Sequence, residues 1–247
     1  MKYLKFKINS FINSLKKIFL NKKKTKKKSL HLLFLQIINY IKIDIKKKIY
    51  VLAYNIKTTF NAISCDGDTS TNDMVSIFST NKVKNPQIKK FTDKRIKNFS
   101  KSVHDVLLNL AKQVVSDGEG ASKLISVNCI NCKTEKDAKN ISFKIANSLL
   151  VKTAIAGEDP NWGRVAMAIG NSNSKINEQK LSISFGPHKI YHKGSLYKFY
   201  DEEKVMEYMK GKSIEIEVDI GQGIKKFKSY TMDLTKKYIE INADYRT

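Results

Sequence analysis

The first fifty residues of this chain contain no Gly, Pro, Ala, Arg or Glu. Chains that fold compactly need turn residues and small residues, and this segment has neither. Fifteen of the fifty residues are Lys, and Asp44 is the single acid. We therefore separate residues 1–48 as a Lys-rich, low-complexity leader that we expect to be disordered or loosely helical.

Two functional interpretations of this leader stay open beside that of an unselected extension. One is an amphipathic helix lying on a membrane surface, since one helical stripe is apolar. The stripe consists of Leu4, Ile8, Phe11, Ile12, Leu15, Ile18 and Phe19. The other is a targeting peptide, although transit peptides favour Arg and Ser. The apolar segment from Leu30 to Ile45 is too short and too interrupted for a membrane span.

The net charge of +23 suggests binding to nucleic acid or to an anionic membrane. Residues 1–57 carry +15 of that charge, and the remaining 190 residues carry only +8. A basic binding protein is therefore the less favoured class of function. We expect neither a nucleic-acid nor a membrane partner.

The three cysteines, Cys65, Cys129 and Cys132, argue against a disulfide framework and fit a reducing, cytoplasmic compartment. Cys129 and Cys132 have the spacing of a zinc knuckle or a redox pair. A zinc site needs a second pair of ligands, and no His has a matching spacing. Chance spacing at a strand end is the favoured interpretation, and we expect no metal.

Hydrophobic periodicity predicts an α/β part over residues 49–172 and a β-rich lobe over 173–247. The predicted helices are Ile49 to Thr59, Val103 to Val115, Asp137 to Leu149 and Asp201 to Met209. The predicted strands are Phe60 to Cys65, Leu124 to Cys129, Leu181 to Phe185, Ile190 to His192, Ile214 to Ile220, Lys226 to Asp233 and Tyr238 to Asn242.

Four segments carry chemical information. Lys152 to Arg164 holds the only Trp and predicts a tight polar corner between two buried elements. Asp66 to Asp73 follows a predicted strand with three carboxylates and three hydroxyls. Its Asp-x-Asp-x-Ser start resembles the nucleophile motif of haloacid dehalogenase-type phosphotransferases, but the later acidic metal pair is missing. A hydrogen-bonded turn is favoured on spacing alone. The remaining two segments are Asp117 to Lys123 and the C-terminal stretch from Asp233 to Thr247.

Taken in chain order, the four segments resemble the signatures of the ornithine acetyltransferase (glutamate N-acetyltransferase) family of arginine biosynthesis. They read Asp-Gly-Asp-Thr-Ser-Thr-Asn-Asp, Asp-Gly-Glu-Gly-Ala-Ser-Lys, Gly-Glu-Asp-Pro-Asn-Trp-Gly-Arg and a final Asn-Ala-Asp-Tyr-Arg-Thr. The resemblance implies a layered α/β/β/α sandwich with a C-terminal α/β lobe. It also implies an acyltransferase that moves acetyl from N-acetylornithine, and in some members from acetyl-CoA, to glutamate.

Family precursors cleave themselves, and the new N-terminal Thr of the β chain is the nucleophile, with its own amine as base. The resemblance implies that Glu119 binds the substrate ammonium group, and that Asn242 and Thr247 hold its polar groups. It implies an (αβ)₂ heterotetramer with the α chain of the same enzyme. Apart from acetyl-CoA as a co-substrate, we expect no cofactor.

The family's Thr-containing stretch should lie about 35 residues before Asp66, near His31, where no Thr occurs. The catalytic residue is therefore unknown, and the α half is absent from the expected position. We interpret the chain as the β half of the enzyme behind an unrelated leader. The alternative is an inactive remnant of a truncated or frame-disrupted gene.

Overall fold

A computed structural model of the chain describes residues 45–70, 73–77, 88, 90 and 92–244. The chain divides into two compact units. The smaller comprises Met1–Gln36 and Ser70–Ser76, and in it the Asp73 backbone N–H donates to Ser70 Oγ at 3.2 Å. The larger comprises Ile37–Thr69 and Ile77–Thr247 and holds the helices and the sheet.

The described residues form seven α-helices and seven strands. The helices are α1 (Ile45–Ile56), α2 (Lys94–Ser116), α3 (Glu135–Ala146), α4 (Leu149–Ala156), α5 (Trp162–Gly170), α6 (Glu202–Met209) and α7 (Lys236–Ala243). The strands are β1 (Ile63–Ser64), β2 (Leu124–Cys132), β3 (Ser182–Phe185), β4 (His188–His192), β5 (Ser195–Leu196), β6 (Ser213–Asp219) and β7 (Lys225–Met232). No helix in these ranges has the length and apolar character of a bilayer span.

All seven strands belong to one mixed sheet with the order β1-β7-β2-β6-β3-β4-β5. Strand β7 runs parallel to β1 and antiparallel to β2, while β2 and β6 are parallel. The ends of β1 and β7 therefore meet the beginnings of β2 and β6 at one edge of the sheet. That edge places four loops side by side.

One face of the sheet is apolar and supports the core. Strand β6 alternates strictly, and Ile214, Ile216 and Val218 are fully buried. Burying such a side chain stabilises the fold by about 1.5–3 kcal/mol. Helix α3 covers this face, and Ser142 Oγ donates to the Val127 carbonyl at 3.1 Å. The opposite face carries the charged pair Lys228–Glu215 at 3.0 Å.

Helix α2 is capped by Asp93, whose side chain accepts a hydrogen bond from the Arg95 backbone N–H. One face of the helix is buried at spacings of three and four, which fits the helical period. These residues are Ile96, Phe99, Val103, Leu107, Leu110, Ala111 and Val115. Helix α1 packs against α2, where Asn55 Nδ2 donates to Ser100 Oγ at 2.8 Å.

The predicted α/β class is confirmed. The helix predicted from Val103 to Val115 is confirmed, although it starts nine residues earlier, at Lys94. The helix predicted over Asp137 to Leu149 instead ends at Ala146, because Ser148 caps a new helix. Of Phe60 to Cys65, only Ile63–Ser64 is a strand.

The strand predicted from Tyr238 to Asn242 is wrong, since these residues lie in α7. The alternation of apolar and polar side chains over Ile239, Glu240, Ile241 and Asn242 resembles a strand pattern over a short window. No residue of α7 is buried, so the packing that sets a helical period does not act on its sequence.

The division at residue 172 stays a prediction, and strands from both sides of it share the sheet. Residues 1–44 of the leader, including its apolar stripe, lie outside the described residues. The helix predicted from Ile49 to Thr59 corresponds to α1. This helix begins at Ile45, so its first four residues belong to the segment 1–48 that we predict as the leader.

Candidate functional site

The four sequence segments converge at the sheet edge where β1 and β7 end. Cys65 and Asp66 follow β1, Asp233 follows β7, and Lys123 precedes β2. Lys152 reaches the same edge from helix α4. Polar and charged groups from distant parts of the sequence are thus connected in one network.

Asp233 joins the C-terminal segment to the loop before β2. Its side chain is fully buried, and its Oδ1 accepts backbone N–H groups from Ser122 at 2.8 Å and Lys123 at 2.9 Å. Its Oδ2 accepts a hydrogen bond from the Ser122 hydroxyl. Three donors offset the cost of burying this carboxylate, so the two segments are held in a fixed arrangement.

Lys152 connects the loop that follows β1 and holds Cys65 and Asp66 (the Asp66 loop) to the same C-terminal segment. Its side chain is 2% exposed, and Nζ donates to the Cys65 carbonyl. Its own backbone carbonyl accepts from the Leu234 N–H at 3.3 Å. Burial lowers the pKa of Lys152, and the nearby Cys65, Asp66 and Asp233 act in the opposite direction.

Lys123 connects the loop before β2 to the Trp162 corner. Its side chain is 4% exposed, and Nζ lies 2.9 Å from Glu158 Oε1. The same Nζ donates to the carbonyls of Met209 at 2.8 Å and Gly211 at 3.3 Å. Glu158 has a φ of +61°, a backbone conformation that residues other than Gly rarely adopt. Both ends of this ion pair therefore belong to segments named from the sequence.

The predicted polar corner between two buried elements is confirmed. It joins α4 to α5, and Asn161 caps α5 by accepting the Arg164 backbone N–H at 3.2 Å. Trp162 stacks on Tyr191 with ring centroids 4.9 Å apart. The Arg164 guanidinium donates back to the Leu150 carbonyl at 2.9 Å. These contacts fix the angle between the two helices.

The loop that carries Glu119 rests against the start of α7. Thr235 Oγ1 donates to the Gly120 carbonyl at 2.7 Å. Gly120 has a φ of +69°, and a Cβ there would lie 2.4 Å from the Tyr238 backbone nitrogen. Only glycine fits this close approach of two backbones. Glu119 is consequently placed near Tyr238.

Tyr238 is the point at which the Asp66 loop, the Glu119 loop and α7 meet. Its hydroxyl donates to Asp66 Oδ2 at 3.2 Å. Burial raises the pKa of Tyr238, and the carboxylates of Asp66, Glu119 and Asp68 raise it further. Three exposed carboxylates thus lie around the phenol, and a surface of negative charge attracts a cationic ammonium group.

Two of the three predicted substrate residues fall within the described structure. Glu119 is exposed beside Tyr238, and Asn242 lies one helical turn beyond Tyr238 on α7. Asn242 Nδ2 donates to the Tyr238 carbonyl at 2.9 Å. Thr247 lies outside the described residues. The substrate roles of all three stay predictions.

Lys152, Asp233 and Tyr238 are among the network members to which the sequence analysis gives no role. The sequence signal for Lys152 was a lone cation in the apolar run Leu149 to Ile155. In the sequence, Asp233 is the last residue of the strand predicted from Lys226 to Asp233. Tyr238 was assigned to a strand, which hid its position at the start of a helix.

Other features lie apart from the network. A polar cavity of about 470 Å³ opens on the charged face between β3, β4 and β6, lined by residues that include Ser182, His192 and Asp219. Within the described ranges, no three His, Cys, Asp or Glu side chains are grouped to hold a metal ion.

A model of the ArgJ family matches residues 33–247, so the match begins inside the Lys-rich leader. The arginine biosynthesis bifunctional protein ArgJ of Bradyrhizobium diazoefficiens is 46% identical over 200 residues, which are 80% of this chain and 48% of the relative. The protein of the same name from Bartonella henselae is 47% identical over 197 residues, with the same coverage of 80% and 48%.

A crystal structure of arginine biosynthesis bifunctional protein ArgJ from Bacillus halodurans superposes with a TM-score of 0.81 at 35% identity. The match covers 87% of this chain and 99% of the solved chain. This chain therefore spans about half the length of the curated relatives it matches but nearly all of the solved chain.

Proposed function

This chain belongs to the ArgJ family, and we propose that it is the β-chain portion of a glutamate N-acetyltransferase in arginine biosynthesis. The observation that carries the proposal is the convergence of four family signatures on one buried network. The near-complete coverage of the solved chain, beside half coverage of the curated relatives, supports a function as one of two chains.

In this proposal, acetyl passes from N-acetylornithine to glutamate, with acetyl-CoA as a further donor. Glu119 binds the substrate ammonium, because its exposed carboxylate lies beside Asp66 and Tyr238 in an acidic group. Asn242 and Thr247 hold the remaining polar groups of the substrate. The nucleophilic Thr of the family is assigned to no position of this chain.

The α half of the enzyme completes the site in an (αβ)₂ heterotetramer in the cytoplasm. It supplies the oxyanion donors that acyl transfer needs. What this chain contributes is a frame in which Asp233, Lys152 and Lys123 fix the loop of Glu119 and the segment that leads to Tyr238 on α7.

The test is acetyl transfer from N-acetylornithine to glutamate by the full chain combined with a family fragment that contains the α half and the Thr-containing stretch that this chain lacks. We expect Glu119→Gln to raise the KM for glutamate strongly, because one charge-assisted hydrogen bond is worth about 1.5–3 kcal/mol. Glu135→Gln is the matched control, since Glu135 is an exposed glutamate beyond the opposite end of β2. It should leave KM unchanged.

The alternative of an inactive remnant predicts no acetyl transfer and no acetylated protein in the intact mass spectrum. That result, obtained with a folded chain and an α half that is active with its own partner, would overturn the proposal. Equal kinetics of Glu119→Gln and Glu135→Gln would remove Glu119 from the substrate site while leaving the family activity in place.

A further inference from the structure

Cys129 and Cys132 form a close thiol pair at the end of β2, far from the network. Both side chains are fully buried, and their Sγ atoms lie 3.3 Å apart. In a regular strand, residues three apart point to opposite faces of the sheet. Here the pairing of β2 with β7 is irregular between the two cysteines, and Asn131 has a φ of +55°. This bulge turns both thiols to the same side.

The backbone around the pair is held by the turn between β6 and β7. The Ile220 N–H donates to the Ile130 carbonyl at 3.1 Å, and the Gln222 N–H donates to the Asn131 carbonyl at 2.8 Å. The Asn131 side-chain amide donates to Asp219 Oδ1 at 3.0 Å. The two sulfur atoms therefore face each other because of the fold and not because of a flexible loop.

At this separation the two sulfur atoms are unbonded thiols in contact, which differs from the spacing of two zinc ligands. Two thiolates on a tetrahedral zinc ion, each about 2.3 Å from the metal, are roughly 3.8 Å apart. The observed 3.3 Å is shorter than that. Structural zinc also needs four ligands, and the described residues group no three suitable side chains.

We propose that Cys129 and Cys132 are a modification site that forms a reversible intrachain disulfide with a low-molecular-weight disulfide such as oxidised glutathione. The Cys132 thiolate attacks one sulfur of the oxidant, giving a mixed disulfide and one released thiol. Cys129 then loses its proton and attacks Cys132 Sγ, expelling the second thiol. The two cysteines lose two protons and two electrons, and the oxidant gains both as two thiols.

The thiol–thiol hydrogen bond prepares the pair for this order of attack. This hydrogen bond raises the pKa of Cys129 and lowers that of Cys132, so Cys132 is the thiol that loses its proton first. Burial and the carboxylates of Asp137 and Asp219 raise the pKa of both thiols. Because both thiols are buried, the oxidant reaches Cys132 only when the end of the strand opens locally, beside the exposed Lys133 and Thr134.

The disulfide would fasten the β2 bulge where the β6–β7 turn rests on it. A Cβ at Gly223 would lie 2.3 Å from the Cys132 carbonyl oxygen, so the two backbones are already in close contact. The polar network of the candidate site lies at the opposite end of β2, where Lys123 precedes the strand. The proposal is therefore independent of the acetyltransferase function.

The experiment compares the full chain under reductant with the chain after overnight exposure to oxidised glutathione. Remaining thiols are alkylated in denaturant and counted by intact mass, and peptide mapping locates any cross-link. We expect three alkylated thiols after reduction and one after oxidation. The cross-linked peptide should join Cys129 to Cys132, about 2 Da lighter than the two free thiols, and dithiothreitol should restore both.

Cys65→Ser is the matched control and should still lose two thiols on oxidation. Cys129→Ser and Cys132→Ser should each lose the intrachain cross-link. Three alkylatable thiols after oxidation of the folded chain would overturn the proposal, with the urea-unfolded chain as a positive control for the oxidant. A cross-link through Cys65, or stoichiometric zinc in the purified chain, would overturn it as well.

Discussion

The Lys152 ammonium donates to the backbone carbonyl of Cys65, which lies 87 residues earlier in the chain. A buried lysine is rare and costs stability unless its charge has partners. Lys152 has such partners, and its hydrogen bonds join the Asp66 loop to the segment after β7. The arrangement indicates that Lys152 fixes the relative position of these two segments.

Lys152→Met keeps most of the side-chain volume and removes the donor. Because the Cys65 carbonyl then loses this partner, we expect the free energy of unfolding to fall by about 1–3 kcal/mol. Urea denaturation measures the change. Lys144→Met, at an exposed lysine near the end of α3, is the control and should change stability little. Equal effects of the two substitutions would contradict a specific role.

The same variant isolates a pH effect. Because the pKa of Lys152 is lowered in the folded chain, the unfolded chain binds more protons between that value and about 10.4. The contribution of Lys152 to stability thus increases as the pH rises through this window. We expect the wild-type chain to gain stability relative to Lys152→Met from neutral pH toward pH 10. A constant difference across that range would rule out the effect.

Lys123 and Glu158 should respond unequally to substitution. Lys123→Met breaks the ion pair and also removes the donor to two carbonyls, so we expect a loss of about 2–4 kcal/mol. Glu158 is half exposed, and Glu158→Gln should cost about 1 kcal/mol or less. Chemical denaturation of both variants and of the double variant gives the coupling. A larger loss for Glu158→Gln would be incompatible with this geometry.

Gly120→Ala tests the close contact between the Glu119 loop and α7. The added Cβ meets the Tyr238 backbone in a left-handed conformation, so we expect a loss of about 2 kcal/mol or more. Gly170→Ala is the matched control, because a Cβ there meets nothing within 4 Å at the end of a helix. It should be neutral or stabilise by up to about 1 kcal/mol. Thermal unfolding of the two variants should therefore shift in opposite directions or differ clearly in size.

Tyr238→Phe tests the phenol beside Asp66. Because the pKa of Tyr238 is raised in the folded chain, its stabilising effect is complete below about pH 10 and is lost as the pH rises through the folded value. We expect the wild-type chain to lose more stability than Tyr238→Phe in this alkaline range. The difference in tyrosinate absorbance between the two chains reports the folded pKa directly. Ionisation of Tyr238 below pH 10 would refute the arrangement.

The sequence predicts those helices and strands whose spacing of apolar residues follows the period of one helix or one strand. The three-and-four spacing of Val103, Leu107 and Leu110 located α2, and the alternation from Ile214 to Val218 located β6. The pairing of β1 with β7 was not predictable, because it joins residues such as Ile63 and Tyr230 that lie far apart in the sequence. Without that pairing, Lys152 and Asp233 could not be recognised as parts of one network. The resemblance named Glu119 and Asn242, but only the structure brings Tyr238 between them.

The position of β7 between β1 and β2 has a consequence for synthesis of the chain. Among the strands of the described residues, β1 pairs only with β7, which begins 161 residues after Ser64, at Lys225. Ribosomes add about 5–20 residues per second, so β1 waits on the order of ten seconds for its neighbour. Such a high contact order favours slow folding and leaves a strand edge open during translation. We therefore expect chains that stop before β7 to aggregate, and the nascent chain to depend on chaperones until β7 emerges from the ribosome.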